Sequence, residues 1–325
     1  MIPTEEVAPA PSAAPTKEVA PARAGAAPSR RPGNRWRLVK RGIIAWLYII
    51  PALGFYAYVV LSPTLQSVWF SLFNWDGVSR ATFVGATNYL SFLTDPDIGE
   101  ALSHTGVLVV FFSLLPIVLG LISAALVSRS SVRGSGFFRS VIFIPQVLTS
   151  VVIVVIWRQL FSTGGIINDA LTAVGLGTWV QPWLGSFQWT LPVLGLAGTW
   201  TAMGMCMLMF VAGTGNIPGE LYDAARVDGA GPVREFFSVT LPGLIPQLAV
   251  VLTLTLIGAL RVFDLVWLTT KGGPGSSSLT PAVLLYNQAF VYGNVGAASA
   301  IGVTLAVASL LISLIIVKIT DRKSL

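Results

Sequence analysis

The sequence predicts an all-α integral membrane protein with six spans. Three observations carry this. Apolar residues make up 54% of the chain and charged residues 10%, against about 25% charged in an ordinary soluble domain. Mean hydropathy is +0.76. The apolar residues gather in six runs, each near the roughly 20 residues that a spanning helix needs. None alternates with the period of two expected of a barrel strand. A helix satisfies its backbone groups within one segment, which the bilayer interior requires.

The elements follow in chain order. Residues 1–34 are rich in Ala and Pro with scattered charge. Such a segment cannot bury a core, so a disordered tail is expected. No apolar stretch lies near Met1, so no signal peptide is expected. The first span is predicted at about Ile43–Leu61, with Pro51 inside. The second is predicted at about Val107–Val127, with Pro116 inside, and the third at about Val141–Leu160, with Pro145 near its start. The fourth, fifth and sixth are predicted at about Leu191–Ala212, Leu244–Leu268 and Ala297–Val317.

Lys and Arg set the expected orientation. Arg23, Arg30, Arg31, Arg35, Arg37, Lys40 and Arg41 precede the first span. Arg129, Arg133 and Arg139 lie between the second and third, Arg226 and Arg234 between the fourth and fifth, and Lys318, Arg322 and Lys323 at the end. The opposite side has only Arg80, Arg158 and Lys271. By the positive-inside rule both termini are cytoplasmic. The net charge of +6 follows from these flanks, and no nucleic-acid partner is expected.

Catalytic motifs are missing from the sequence. There is no GxxxxGK[ST] loop, HExxH, CxxC or GxSxG. The single His104 and single Cys206 build no usual zinc site. His104 reads as an interfacial residue, Cys206 as a small buried one, and Gly272-Gly273-Pro274-Gly275 as a turn. No enzyme activity, cofactor or metal is expected.

The most informative stretch is Asn216–Pro242, NIPGELYDAARVDGAGPVREFFSVTLP. It holds Glu220, Asp223, Arg226, Asp228, Arg234 and Glu235 between two apolar runs. Asn216 is placed to cap a helix, with Pro218 in its first turn. That helix runs to about Asp228, where Gly229 ends it as a left-handed residue. Ala224 and Ala225 leave a smooth patch beside Asp223 and Asp228. A second helix starts after Gly231, and Pro242 stops it. Its Val233, Phe236, Phe237 and Leu241 form an apolar stripe. The whole reads as a helical hairpin on the membrane face, either idle or offered to a soluble partner.

This segment resembles the EAA loop of permease subunits of binding-protein-dependent ABC importers, of the carbohydrate-uptake, maltose-transport type. The matching residues are Ile217-Pro218, Leu221-Tyr222, Asp223-Ala224-Ala225, Asp228-Gly229-Ala230, Phe236 and Leu241-Pro242. Asp223 stands where the family usually has Glu. Further stretches are similar to the same family: Ser71-Leu72-Phe73-Asn74-Trp75-Asp76, Phe138-Arg139 through Ile144-Pro145, Trp157-Arg158, and Phe263-Asp264 through Gly275. The resemblance implies a six-helix permease bundle over residues 43–317 with a coupling loop at 216–242. It is preceded by a tail and basic flank at 1–42 and followed by a cytoplasmic tail at 318–325. It implies a second permease subunit, a cytoplasmic ATPase dimer that docks on the hairpin, and an extracellular solute-binding protein that delivers a sugar. The expected coupling residues are Glu220, Asp223, Ala224, Ala225, Asp228, Gly229, Ala230, Leu241 and Pro242. Transport would proceed by alternating access.

The substrate path has weaker signals. Arg261 and Asp264 fall within the predicted fifth span at i, i+3 spacing. A charge near the bilayer centre costs about 3 kcal/mol, so each is expected to face a cavity or the other. They read either as sugar-binding groups or as a structural pair. Trp200 and Trp267 read as sugar-stacking rings or as interfacial tryptophans. Met203, Met205, Met207 and Met209 read as packing. Gly120/Ala124/Ser128 and Ala298/Gly302/Ala306 are rows of small residues suited to close helix contact, within the bundle or with a partner. The competing reading is a stand-alone secondary transporter or channel for a small polar solute. It predicts internal repeats or several acidic residues inside spans, and Asp264 is the only one within those drawn here.

Overall fold

The structure, a computed structural model, describes residues 35–129 and 134–321. The expected tail at 1–34, Arg133, and the end from Arg322 lie outside the described residues. The chain divides into two compact units, Met1–Tyr58 and Val59–Leu325. The first unit, where described, is helix α1 (Arg35–Tyr56). It begins eight residues before the predicted Ile43.

The second unit holds α2 (Ser62–Phe70), α3 (Thr87–Thr94), α4 (Pro96–Val109), α5 (Leu115–Arg129), α6 (Ser135–Val147), α7 (Ser150–Leu160), α8 (Ile166–Ala173) and α9 (Thr190–Thr214). Then follow α10 (Gly219–Val227), α11 (Pro232–Glu235), α12 (Leu241–Gly243), α13 (Ile245–Leu260), α14 (Asp264–Thr269), α15 (Pro281–Tyr286) and α16 (Val295–Asp321). Strands β1 (Phe73–Asn74) and β2 (Thr82–Phe83) form a short antiparallel ladder, with Phe73 opposite Phe83. Among the described residues, four helices are long and apolar enough to cross a membrane: Trp46–Phe70, Pro96–Val127, Thr190–Thr214 and Val295–Thr320. Two further pairs, α6 with α7 and α10's successors Pro232–Gly243 with α13, bring the number to six if each pair is one span.

Proline shapes three of these helices without ending them. π-helical turns occupy Ala57–Leu61, Val110–Leu114 and Phe236–Thr240. Each ends two residues before a proline: Pro63, Pro116 and Pro242. A proline ring clashes with the carbonyl four residues upstream. Those carbonyls belong to Val59, Phe112 and Ser238, all inside the π turns, where the wider loop makes room. Pro242 therefore does not stop its helix as expected; the chain stays helical through α12.

Two predicted spans are broken. The third is not one helix: α6 and α7 meet at 100°. Leu148 and Thr149 take extended backbone between them, three residues past Pro145. The fifth is bent by 71° at its start and ends at Leu260, before a non-helical break at Arg261–Phe263. The Thr280 hydroxyl donates to the Val262 carbonyl at 3.1 Å, satisfying a group that the break frees.

Two apolar clusters hold the bundle. One gathers Leu108, Leu194, Val266, Val283 and Ile301; the other gathers Ile117, Cys206, Phe210, Leu244 and Val251. The row Gly120/Ala124 faces α9, where Cys206 and Ala124 are fully buried. Met207 is buried too, as the packing reading expects. In the second row Ala298 is buried while Ala306 is exposed. His104 bonds the Leu279 carbonyl through Nδ1 at 3.0 Å, tying α4 to the chain beyond the Gly272–Gly275 turn. That turn needs left-handed backbone at Gly272 and Gly275.

Candidate functional site: an exposed hairpin and a cavity at a helix break

The hairpin grows from the ends of α9 and α13, which close on each other. A Cβ at Gly213 would fall 2.6 Å from Leu244 Cδ2, and one at Gly243 would fall 2.7 Å from Ile217 Cδ1. From this base α10 projects. Its N-cap is Pro218, not Asn216, and no side chain caps it. Its last turn closes as a complete Schellman motif. The Gly229 N–H donates to the Arg226 carbonyl at 3.0 Å, and the Ala230 N–H to the Ala225 carbonyl at 2.9 Å. Gly229 has φ +75°, the left-handed conformation that glycine adopts freely. The Asp228-Gly229-Ala230 pattern thus has a backbone cause.

Exposure divides α10. Glu220, Leu221, Asp223, Ala224, Val227 and Asp228 are exposed, while Tyr222, Ala225 and Ala230 are half-buried. The smooth patch is therefore Ala224 between its acidic neighbours, with Ala225 turned in toward the Schellman contact. The predicted apolar stripe of the second helix does not pack as one face. Val233 and Phe237 are exposed, and the buried positions are Glu235 and Thr240. The π turn at Phe236–Thr240 adds a residue to the helical repeat and moves the inward face away from the i, i+3, i+4 series. Leu241 is half-buried and Pro242 exposed.

Arg226 links the two helices. Its Nη1 lies 3.2 Å from Asp223 Oδ1, and its Nε lies 3.6 Å from Glu235 Oε2. Tyr222 and Thr240 meet through their hydroxyls at 3.3 Å. All five except Asp223 border a cavity of about 640 Å³ under the hairpin, together with Arg139 and Thr214.

At the break beyond α13, Arg261 and Asp264 border a smaller cavity of about 220 Å³ with Phe112, Ser150 and Thr201. Both charged residues are exposed, and no ion pair joins them. Asp264 sits in the first turn of α14, where the helix dipole favours a carboxylate. Arg261 also borders a second cavity of about 680 Å³ with Tyr286 and Ser309. The i, i+3 helical pair is not formed, because the helix ends at Leu260.

Comparison with known proteins bears on both sites. The family described as the binding-protein-dependent transport system inner membrane component matches residues 116–324. The chain belongs to this family. It is 34% identical to a probable ABC transporter permease protein, YurN, of Bacillus subtilis, over 85% of this chain and 95% of that one. It is 32% identical to the lactose transport system permease protein LacF of Rhizobium radiobacter, over 75% of this chain and 83% of that one. The fold matches a bacterial alginate ABC transporter crystallised with a pentasaccharide-bound periplasmic protein, with a TM-score of 0.77 at 19% identity. That match covers 89% of this chain and 98% of the other.

The protein is thus a multi-pass permease component of a binding-protein-dependent ABC importer. In this permease the expected coupling residues divide by position. Glu220, Asp223, Ala224 and Asp228 share the exposed side of α10, Gly229 and Ala230 form its closing turn, and Leu241 and Pro242 lie on the far helix. Trp200 and Trp267 do not border the cavity of Arg261 and Asp264. Trp200 lies 6.2 Å from Trp157, and Trp267 stacks on Phe263 at 5.8 Å and meets Tyr286 at 4.3 Å. Lys271 Nζ stands 6.0 Å from the Trp267 ring centroid. Ser150 and Thr201 were missed in the sequence because a lone hydroxyl in an apolar run carries no periodic signal. The Arg226–Glu235 contact was missed because it crosses a turn whose geometry spacing does not reveal.

Proposed function

We propose that this permease is one membrane half of an ATP-driven importer for a sugar or sugar-like solute. A second permease subunit supplies the other half, two cytoplasmic ATPase subunits dock on the two hairpins, and an extracellular binding protein delivers the solute. Both termini and the hairpin are then cytoplasmic. The observation that carries this reading is the hairpin itself. It is a charged, exposed helix closed by a Schellman turn at Gly229 and rooted on the ends of two spans. A push on α10 reaches the bundle through α11–α13, and alternating access follows if the spans move as rigid bodies. The lactose named for one relative supports the sugar class. The hydroxyls and charges around the small cavity suit polyhydroxylated solutes.

The test is reconstitution of the complex that co-purifies with this chain. Uptake of a binding-protein-delivered sugar should require ATP and the ATPase subunits. Sugar flux through this chain alone, without ATP, would support the stand-alone carrier. A sugar panel titrated onto the purified binding protein identifies the solute.

A further inference from the structure

We infer that Arg226 and Glu235 form a clasp that stiffens the hairpin, so that Glu235 is a positioning residue for coupling; this rests on the docking role proposed above. Beyond its Schellman hydrogen bonds, the turn that joins α10 to α11 has few braces. A Cβ built at Gly229 would find no atom within 4 Å, so no packing braces the turn at that residue. Among the described residues, side-chain links cross it at Arg226–Glu235 and Tyr222–Thr240. The hydroxyl pair is long at 3.3 Å.

The two arms of Arg226 are unequal. The Asp223 arm lies on the surface, both side chains being well exposed, and such pairs contribute little. The Glu235 arm reaches a side chain that is only 8% exposed. Its 3.6 Å separation makes it an ion pair rather than a hydrogen bond. Arg226 is open to water, but the Glu235 carboxylate is largely shielded from it, so taking Arg226 away removes a partner from a shielded charge, which is costly. Arg226 also stands in the last turn of α10, where the helix dipole favours a cation. The clasp thus joins the exposed docking helix to the element that runs through the π turn and α12 into α13. Without it, displacement of α10 is absorbed by rotation about the turn and does not reach the spans.

The test uses the full complex reconstituted in vesicles, with sugar transported per ATP hydrolysed as the readout. Arg226→Met and Glu235→Gln should each lower that ratio at least about fivefold, the lower end of what a lost coupling interaction produces. The double variant should be no worse than either alone, the mark of a shared interaction. Arg226→Lys should retain most of the ratio. A cross-linking cysteine at Val227, which is 88% exposed, reports docking in parallel; Cys206 is buried and does not compete. A wild-type ratio with docking intact, or additive losses in the double variant, overturns the clasp and leaves the docking role standing. No cross-link to an ATPase subunit in the otherwise wild-type complex overturns both. Glu235→Gln nearly preserves the size of the side chain, so a wild-type ratio in it overturns the clasp even if Arg226→Met fails to assemble.

Discussion

The Thr199 hydroxyl donates a 2.6 Å hydrogen bond to the Phe111 carbonyl, joining the fourth span to the second. Pro116 explains why that carbonyl is available. In the π turn at Val110–Leu114 the Leu115 N–H reaches back five residues to the Val110 carbonyl. The next such bond, from residue 116 to Phe111, needs an N–H that proline lacks. The neighbouring span supplies the missing donor.

Thr199→Val should therefore destabilise the permease by about 1 kcal/mol, the usual worth of an interhelical hydrogen bond in a membrane protein. Thr199→Ser should not. Thermal unfolding of the purified complex checks this, with a lowered Tm for Val alone. An unchanged Tm for Val would mean that the Phe111 carbonyl finds another donor.

Gly120 and Cys206 set a second contact between the same two spans. A Cβ at Gly120 would fall 2.6 Å from the Cys206 Cβ and 2.9 Å from the Met207 backbone nitrogen. Neither neighbour can swing away. Gly120→Ala should cost about 1–3 kcal/mol through overpacking and lower the yield of assembled complex. Gly106→Ala in α4 is the contrast: its Cβ would meet nothing within 4 Å, so it should assemble as wild type does. Yields from membranes, compared by detergent extraction, measure both.

How much of this was legible in the sequence depends on the range of the forces involved. Apolar runs and the Lys/Arg bias are sums over many residues, so the six segments could be drawn. The Asp228-Gly229-Ala230 turn was legible because glycine's freedom at positive φ is local backbone chemistry that needs no tertiary context. What failed were consequences of tertiary context. Pro242 reads as a stop, but a π turn absorbs it. Arg261 and Asp264 read as one helical face, but the helix breaks between them where Thr280, eighteen residues on, satisfies the Val262 carbonyl. Helix α15 went unseen because it is too short to count as a span, although Thr280 accepts from the Val283 N–H as its cap and Pro281 opens its first turn.

Gly229 and Asp223 test two parts of the coupling proposed for the hairpin. Gly229→Val forces a β-branched residue to φ +75°, which costs about 1–2 kcal/mol, although space around it is free. The hairpin should then change its closing angle, leaving ATPase activity no longer matched to uptake. Gly229→Asn should be tolerated far better, since Asn visits this conformation. Asp223→Lys should uncouple through the exposed surface instead. Its effect should fall as ionic strength rises, because exposed charges are screened within about 10 Å at 0.1 M salt. Wild-type uptake and stimulation in both Gly229→Val and Asp223→Lys would remove the hairpin from the coupling route.

The cavity beyond α13 supplies the last prediction. Arg261 and Asp264 are opposite charges three positions apart, yet each faces open space and neither neutralises the other. A group that stays charged in the membrane without a partner needs polar company. Ser150 and Thr201 give part of it at this cavity, and a sugar with several hydroxyls would give the rest. Asp264→Ala should thus weaken uptake about tenfold, the loss of one charge-assisted hydrogen bond. Basal ATPase activity should change little, because the residue lies away from the hairpin. Asp264→Asn should fall between the two, keeping an acceptor but losing the charge. If uptake with Asp264→Ala matches wild type while the complex becomes less heat-stable, the carboxylate serves the first turn of α14 and not the solute.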